Sequence, residues 1–242
     1  VLGVAAQHMD FTAVEQYKLL RANLSFTLSE EKKCYIIGVT SSIRGEGKST
    51  TAINLSYVLA EAGKKVLLVD GDMRIPSIAN KTDIDRTPAL TNLIISGEYE
   101  DMEAYKSGEL DRWYIVPAGD LPPNPSELLG SDKMAEFIGK SREIYDIIII
   151  DTPPAYEVSD VGVLTSLLTG IVMVARSNFS DINAISASEE LISGVNGRVV
   201  GYVVNDVDYK SGAGYGGSKY GYRGYRKYAK YYSSYGKSEL EK

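Results

Sequence analysis

The chain has 242 residues, of which 44% are hydrophobic and 24% charged, a balance typical of a folded protein with one sizeable core. Its single cysteine excludes an internal disulfide framework and a CxxC metal or Fe–S site. Its single histidine, His8 near the N-terminus, argues against a histidine-dependent catalytic triad or zinc site. The net charge of −6 is unevenly divided: residues 205–242 hold eight Lys or Arg against four Asp or Glu, so they carry +4 and the other 204 residues carry −10. An acidic body argues against nucleic acid as a partner.

Hydrophobic periodicity predicts an alternation of helices and strands. Apolar residues at three-to-four spacing predict an amphipathic helix over residues 11–28. Short apolar runs predict strands at 35–40, 66–69, 113–116, 147–150, 171–175 and 199–204. Helices are predicted at 48–62, at 89–96, from an N-cap at Ser126, and at 181–193. Because short all-apolar strands between helices are typical of a sheet covered on both faces, the predicted fold is α/β, with a doubly wound, mostly parallel sheet.

The strongest motif is a glycine-rich loop between the first strand and the helix that follows it. Residues 42–49 read SIRGEGKS, which matches the P-loop pattern except that Ser42 replaces the first glycine. Gly45 and Gly47 allow backbone amides to wrap a phosphate, and the helix N-terminus adds a favourable dipole. Lys48 is predicted to reach the β- and γ-phosphates, and the Ser49 hydroxyl to bind Mg²⁺. The predicted nucleotide-binding set comprises Gly45, Glu46, Gly47, Lys48, Ser49, Thr50 and Asn205.

Carboxylates end two of the buried strands. Asp70 and Asp72 follow the second strand, and Asp151 follows the strand at 147–150 in the Walker B arrangement. Carboxylate oxygens suit Mg²⁺, and one carboxylate can instead accept a proton from an attacking hydroxyl. Asp72 has the alternative of a structural role in the turn. Asn205 ends the last strand, where its amide offers a donor and an acceptor to an adenine edge, or simply caps a turn.

Tyrosine is the compositional anomaly: the chain has 18 Tyr against 4 Phe, and nine of the Tyr lie in residues 209–235. The surrounding Gly, Ser, Lys and Arg predict a flexible segment. Two uses are open for such a segment. It is a substrate for phosphorylation, or it binds nucleic acid by stacking and charge.

These motifs together resemble the bacterial tyrosine kinases of capsule and exopolysaccharide systems, which group with the deviant P-loop ATPases that include ParA and MinD. The resemblance spans nearly the whole chain and rests on residues 46–50 (EGKST), 70–74 (DGDMR), 123–129 (PNPSELL) and 151–154 (DTPP), and on the terminal tyrosines. It implies a P-loop fold and an ATP-dependent tyrosine autokinase that phosphorylates its own tail in trans. The alternative is an ATPase switch of the partitioning type without kinase activity.

The resemblance also implies roles for individual residues. Lys48, Asp70 and Asp72 are the expected catalytic residues, with Asp70 preferred over Asp72 for orienting or deprotonating the hydroxyl. Ser49, Asp70 and Asp151 are the expected Mg²⁺ ligands. The expected phosphoacceptors are Tyr215, Tyr220, Tyr222, Tyr225, Tyr228, Tyr231, Tyr232 and Tyr235.

Three regions and several partners are expected on the same basis. Residues 1–28 hold an oligomerisation helix, 29–208 the kinase domain and 209–242 the tail. The family pattern Glu-x-x-Arg-x-x-Arg, used for ring-like self-association, is occupied here by Glu15, Lys18 and Arg21. A membrane-anchored activator and a tyrosine phosphatase are the expected partners. The sequence shows neither a signal-peptide pattern nor about 18 uninterrupted apolar residues, so a cytoplasmic protein held at the inner membrane face by its activator is predicted.

Overall fold

A six-stranded parallel sheet organises the chain. The computed structural model describes residues 11–28, 32–99, 105–108 and 110–207. The strands are β1 (Tyr35–Ser41), β2 (Val66–Asp70), β3 (Trp113–Val116), β4 (Ile147–Asp151), β5 (Gly170–Arg176) and β6 (Val199–Asn205). Their order across the sheet is β3-β2-β4-β1-β5-β6, with every neighbouring pair parallel. The predicted fold class is therefore confirmed.

Helices cover both faces of this sheet. They are α1 (Phe11–Thr27), α2 (Lys48–Glu61), α3 (Ile78–Thr82), α4 (Leu90–Ser96), α5 (Pro125–Leu129), α6 (Asp132–Ile144), α7 (Asp160–Leu164) and α8 (Ile182–Gly194). A short 3-10 turn, Thr165–Leu167, follows α7. Among the helices of the described ranges, none is both long and apolar enough to cross a lipid bilayer.

Alternating side chains divide the core between the two faces. Ile36, Leu67 and Ile148 pack with α4 and α6 on one face. Ile37 and Leu68 pack with α1 and α2 on the other. Because successive strand residues point to opposite faces and both faces are covered over the inner part of the sheet, β2, β3 and β4 are buried and apolar along nearly their whole length. The N-terminal helix joins this core through Leu24 and Leu28, which are buried as its periodicity predicts.

The parallel register brings the strand-end residues to one edge of the sheet. Asp70 and Asp151 are register partners on β2 and β4. Strand β1 lies between β4 and β5, so the loop that follows β1 is flanked on one side by the ends of β4 and β2 and on the other by those of β5 and β6. This edge is where ligands bind in open α/β sheets.

Most predicted elements are present, and one predicted N-cap is wrong. Helix α5 begins at Pro125 with Asn124 as its N-cap, so Ser126 lies inside the helix. Proline at the first helical position is favourable because its missing N–H would have no helical partner there. The longer helix α6 has Ser131 as its N-cap, with the hydroxyl accepting from the Met134 N–H. The tail region and its tyrosines lie outside the described residues.

Candidate nucleotide-binding and phosphotransfer site

Two glycines shape the loop between β1 and α2. Gly45 has a φ of +83° and Gly47 a φ of +98°, the left-handed region that side chains disfavour. A Cβ at Gly47 would also lie 2.1 Å from Nδ2 of Asn205. The backbone conformation therefore favours glycine at position 47, and a side chain there would also displace the Asn205 amide. The result is a bare backbone turn directly before the N-terminus of α2, as the motif predicts for a phosphate cradle.

Lys48 is the cation at the centre of the site. Its Nζ lies 2.7 Å from Oδ2 of Asp72, 3.5 Å from Oδ1 of Asp151 and 3.3 Å from Oγ of Ser49. Burial alone would lower the pKa of Lys48, but the carboxylates of Asp151 and Asp72 outweigh it and raise the pKa. The amine is thus charged and buried, and three residues predicted from three separate motifs, Ser49, Asp72 and Asp151, meet around it.

Asp151 is buried without full compensation of its charge. It is inaccessible to solvent at the end of β4, and its Oδ2 has no hydrogen-bond partner in the described part of the chain. Burial raises the pKa of Asp151, with Lys48 opposing the shift. A buried oxygen without a partner is costly unless a ligand or an ion satisfies it. Asp151 therefore has the character of a cation ligand.

Asp70 is not placed for the direct role predicted for it. Its Oδ2 accepts from the backbone N–H groups of Ser77 (3.1 Å) and Ile78 (3.0 Å), and its Oδ1 accepts from Asp72 N–H (3.3 Å). The side chain is fully buried, and it does not line the cleft described below. Burial and the nearby Asp151 carboxylate raise the pKa of Asp70 to about 7. Its contacts fix the loop after β2, and Asp72 is the carboxylate of this loop that the cleft exposes.

Glu46 likewise differs from its predicted role, because its carboxylate faces away from the cleft. It is fully buried and accepts from the Ser42 hydroxyl, the Ile43 N–H at 2.8 Å and the Ser180 hydroxyl. These contacts join both ends of the glycine-rich loop to the segment between β5 and α8. The Glu46 carboxylate therefore supports a nucleotide site indirectly, by fixing the conformation of the glycine-rich loop.

Asn205 and Arg176 lie beside the loop at the ends of β6 and β5. Nδ2 of Asn205 donates to the Glu46 carbonyl at 3.0 Å, and the side chain lines the cleft. Arg176 pairs with Asp206 at 2.9 Å and lies 5.1 Å from the ring centre of Phe179. Base recognition by Asn205 stays a prediction. The sequence analysis missed Arg176, although its position at a strand end is a signal that could have found it.

A buried carboxylate that the sequence analysis missed holds Arg74. Asp160, at the start of α7, accepts from Arg74 Nε (2.8 Å) and Nη2 (3.0 Å) and from the Ser126 hydroxyl. Burial of Asp160 opposes ionisation, but the hydrogen bonds from Arg74 and Ser126 outweigh it and lower the pKa of Asp160. No sequence signal pairs residues 86 positions apart. This network joins the loop after β2 to α5 and α7.

The glycine-rich loop opens onto a cleft of about 540 Å³. Of the predicted site residues, Gly45, Gly47, Lys48, Ser49, Thr50, Asp72 and Asn205 line it. The remaining lining residues are Arg44, Arg74, Ile75, Ser77, Lys81, Pro153, Pro154, Glu157, Val158, Arg176 and Asp206. Five of the lining residues are cationic and three are acidic, so the wall is suited to an anionic ligand.

The three predicted oligomerisation residues do not share one free face. Glu15 and Lys18 form a partly exposed ion pair at 3.0 Å on α1. Arg21 instead donates from Nη1 to the Val58 carbonyl at 2.7 Å, which fastens α1 to α2. Within the protomer, Arg21 thus has a structural contact, and Glu15 and Lys18 remain at the surface.

The geometry is that of a P-loop nucleotide-binding protein. A glycine-rich loop joins a strand to a helix that begins with lysine, and carboxylates lie at the ends of neighbouring strands. A family model described as the AAA domain matches residues 34–195. The tyrosine-protein kinase YwqD of Bacillus subtilis (strain 168) is 34% identical over 204 residues, covering 84% of each chain. CpsD of Streptococcus agalactiae is 34% identical over 229 residues, covering 94% of this chain and 92% of that one. The chain belongs to the bacterial tyrosine-protein kinases, as its motifs predict.

Solved structures agree with this assignment. The kinase domain of the Escherichia coli tyrosine kinase ETK superposes with a TM-score of 0.76 at 26% identity, covering 85% of this chain and 80% of that one. The chimerical protein CapA2B2 gives a TM-score of 0.75 at 29% identity, with coverage of 86% and 94%. The septum site-determining protein MinD of Pyrococcus horikoshii OT3 gives a TM-score of 0.58 at 23% identity over 71% of this chain and 70% of that one, which shows a shared fold.

Proposed function

We propose that this chain transfers the γ-phosphate of ATP to tyrosine hydroxyls, and that the acceptors lie in residues 209–235 of a second copy of the chain. The observation that carries the proposal is the placement of Lys48 between Asp72 and Asp151, beside a glycine-rich loop, in a chain whose relatives are named tyrosine-protein kinases. Nine tyrosines in residues 209–235 supply an acceptor within the same sequence.

The residues of the site fit Mg·ATP. Gly45 and Gly47 present a loop backbone without side chains, and the unpartnered Oδ2 of Asp151 is an orphaned buried oxygen that a cation would satisfy. No group of three or more His, Cys, Asp or Glu in the described ranges forms a self-contained metal site. This agrees with Mg²⁺, which usually takes one or two protein ligands and completes its shell with phosphate oxygens and water. Held by Ser49 and Asp151, Mg²⁺ would neutralise charge on the phosphates.

The transfer itself needs few groups from the protein. A bond forms between the tyrosine oxygen and the γ-phosphorus, while the bond from that phosphorus to the β–γ bridging oxygen breaks and ADP leaves. Lys48 stabilises the phosphate charge, because its buried amine is held in the charged form. The phenolic proton passes to Asp72, which lines the cleft, and Asp70 fixes the loop that carries Asp72. Catalysis rests chiefly on positioning and electrostatics.

Phosphorylation of the tail would act as a switch of self-association. Residues 205–242 carry +4 and the other residues −10, so an unphosphorylated tail is attracted to a neighbouring body. Each phosphate adds roughly −1.5 to −2 at neutral pH, so several phosphates reverse the sign of the tail. We propose a ring-like assembly through α1, with the exposed Glu15–Lys18 pair at the contact. The acidic bodies would then repel a phosphorylated tail and open the ring.

The cellular setting is proposed from the family resemblance. The kinase would regulate the synthesis and export of a capsular or exopolysaccharide. A membrane-anchored activator of chain-length-regulator type would hold it at the inner face of the cell membrane, and a tyrosine phosphatase would reset the tail.

The experiment is to incubate the full chain with Mg·ATP, with the candidate activator as a second arm, and to measure both ADP and phosphotyrosine. Lys48→Met should abolish phosphotyrosine, because no other described cation approaches both Asp72 and Asp151. Lys64→Met, an exposed substitution outside the cleft, is the matched control and should leave the signal unchanged. Steady ADP release without phosphotyrosine in either arm would instead favour the partitioning type of ATPase.

A further inference from the structure

The order of the strands shows which end of the cleft lies next to which strands. The glycine-rich loop follows β1, with β5 and β6 on one side of it and β4 and β2 on the other. Asn205 and Arg176 line the cleft on the β5–β6 side, whereas Asp72 and Val158 line it on the β2–β4 side. A nucleotide whose base lies against Asn205 and whose phosphates lie on the loop therefore points its terminal phosphate towards β2 and β4. The acceptor must enter from that side.

An exposed apolar side chain lies on the acceptor side. Ile75 is 45% exposed although it lines a cleft that is otherwise rich in charge. Its backbone N–H donates to Oδ1 of Asp72 at 3.0 Å, and Oδ2 of the same carboxylate is 2.7 Å from Lys48 Nζ. One carboxylate thus links this apolar residue to the lysine that holds the phosphates. Val158, half-buried in the segment between β4 and α7, adds a second apolar surface to the same cleft.

We infer that Ile75 and Val158 form the site that receives the aromatic ring of the acceptor, and so determine the preference for tyrosine over serine and threonine. The inference rests on the proposed kinase function. A phenol ring gains from contact with aliphatic side chains and places its hydroxyl about 6 Å beyond its Cβ, whereas serine and threonine offer neither the apolar face nor the reach.

The occupant is a tyrosine of residues 209–235. Asp206, three residues before this segment in the sequence, itself lines the cleft. An extended chain spans at most about 3.3–3.6 Å per residue, so the nine residues from Asp206 to Tyr215 reach up to about 30 Å. This length is enough for a tail tyrosine to extend beyond the cleft of its own protomer, as transfer to a second copy requires.

The test compares full-length chains that carry Ile75→Ala, Val158→Ala or Ile75→Leu. Ile144→Ala is the matched control, because Ile144 is 40% exposed at the end of α6 and does not line the cleft. The initial rate of phosphotyrosine formation, the Kd for ADP and the Tm are measured for each. We expect a roughly tenfold slower rate for the two alanine variants, the usual effect of lost apolar contact with a substrate. Ile75→Leu and Ile144→Ala should stay within about twofold of wild type, with the Kd for ADP unchanged in all.

Each other outcome has a distinct meaning. If wild type forms phosphotyrosine and both alanine variants match it, the ring site is refuted and the proposed kinase function stands. If the alanine variants weaken ADP binding as much as they slow transfer, these residues contact the nucleotide and the ring site is refuted again. If wild type forms no phosphotyrosine under any condition tested, the proposed function fails and the ring site with it.

Discussion

The ion pair between Asp160 and Arg74 is expected to stabilise the folded protein, and substitution of either residue tests this. Asp160→Asn keeps the shape of the side chain but removes its charge and turns one acceptor into a donor. The Asp160 side chain is fully buried, and it accepts from Arg74 Nε and Nη2 at 2.8 and 3.0 Å. In the variant, one guanidinium N–H therefore faces an amide N–H, and the loop after β2 loses its main connection to α7.

The size of the effect follows from the exposure of the two partners. Breaking a buried ion pair typically costs about 3–5 kcal/mol. The Arg74 side chain is 37% exposed, so water compensates part of its loss, and we expect Asp160→Asn to lower the free energy of unfolding by about 2–3 kcal/mol. Arg74→Gln should cost at least as much, because it leaves the fully buried Asp160 carboxylate without a cation, and only the Ser126 hydroxyl continues to donate to it.

The assay is urea denaturation of the two single variants and the double variant. Residues in direct contact should show a coupling energy of about 1–2 kcal/mol, so the double variant should be less destabilised than the sum of the singles. Because the folded state lowers the pKa of Asp160, the stability that this pair provides is present above about pH 4 and is lost as the pH falls through the depressed value. Single effects that add within about 0.5 kcal/mol would show that Asp160 and Arg74 do not stabilise the fold as a pair.

Two further predictions concern the loop and the buried acids. Gly47→Ala should abolish ADP binding in calorimetry, because alanine disfavours a φ of +98° and its Cβ would meet Asn205 at 2.1 Å; normal affinity would contradict this. The pKa of Asp70 is raised from 3.8 to about 7, so between these pH values the folded state keeps a proton that the unfolded state has lost. The free energy of unfolding should therefore fall as the pH rises through this range. Asp70→Asn should flatten that decline in chemical denaturation, and an unchanged decline would exclude Asp70 as its source.

The parts of the site that could be predicted from the sequence are those formed by residues close together along the chain. The P-loop, the paired aspartates at the end of β2 and the aspartate that ends β4 each follow an apolar run. A parallel sheet necessarily brings such strand ends together. That is why Lys48, Asp72 and Asp151 meet as expected. The bounds of β1, β2, β3 and β4 are predictable because both faces of these strands are buried, which makes each strand a continuous apolar run.

The remaining features depend on contacts between distant residues. Asp70 and Asp72 look equivalent in the sequence, yet the path of the loop turns one carboxylate towards backbone N–H groups and the other towards the cleft. Glu46 stands inside the motif but binds Ser180, which is 134 residues away. Arg21 fits a surface pattern but contacts a carbonyl of α2. In each case tertiary packing decides which way a polar side chain turns, and spacing along the chain does not encode it.

Transfer of phosphate to tail tyrosines of another copy can be tested by mixing two chains. A Lys48→Met chain with an intact tail is combined, under Mg·ATP, with an otherwise wild-type chain in which the predicted acceptors are replaced by phenylalanine. Mass spectrometry then locates phosphotyrosine in each chain. We expect phosphotyrosine in residues 209–235 of the Lys48→Met chain. Formation of ADP with no phosphotyrosine on that chain, while the unaltered protein does phosphorylate its own tail, would contradict transfer between copies.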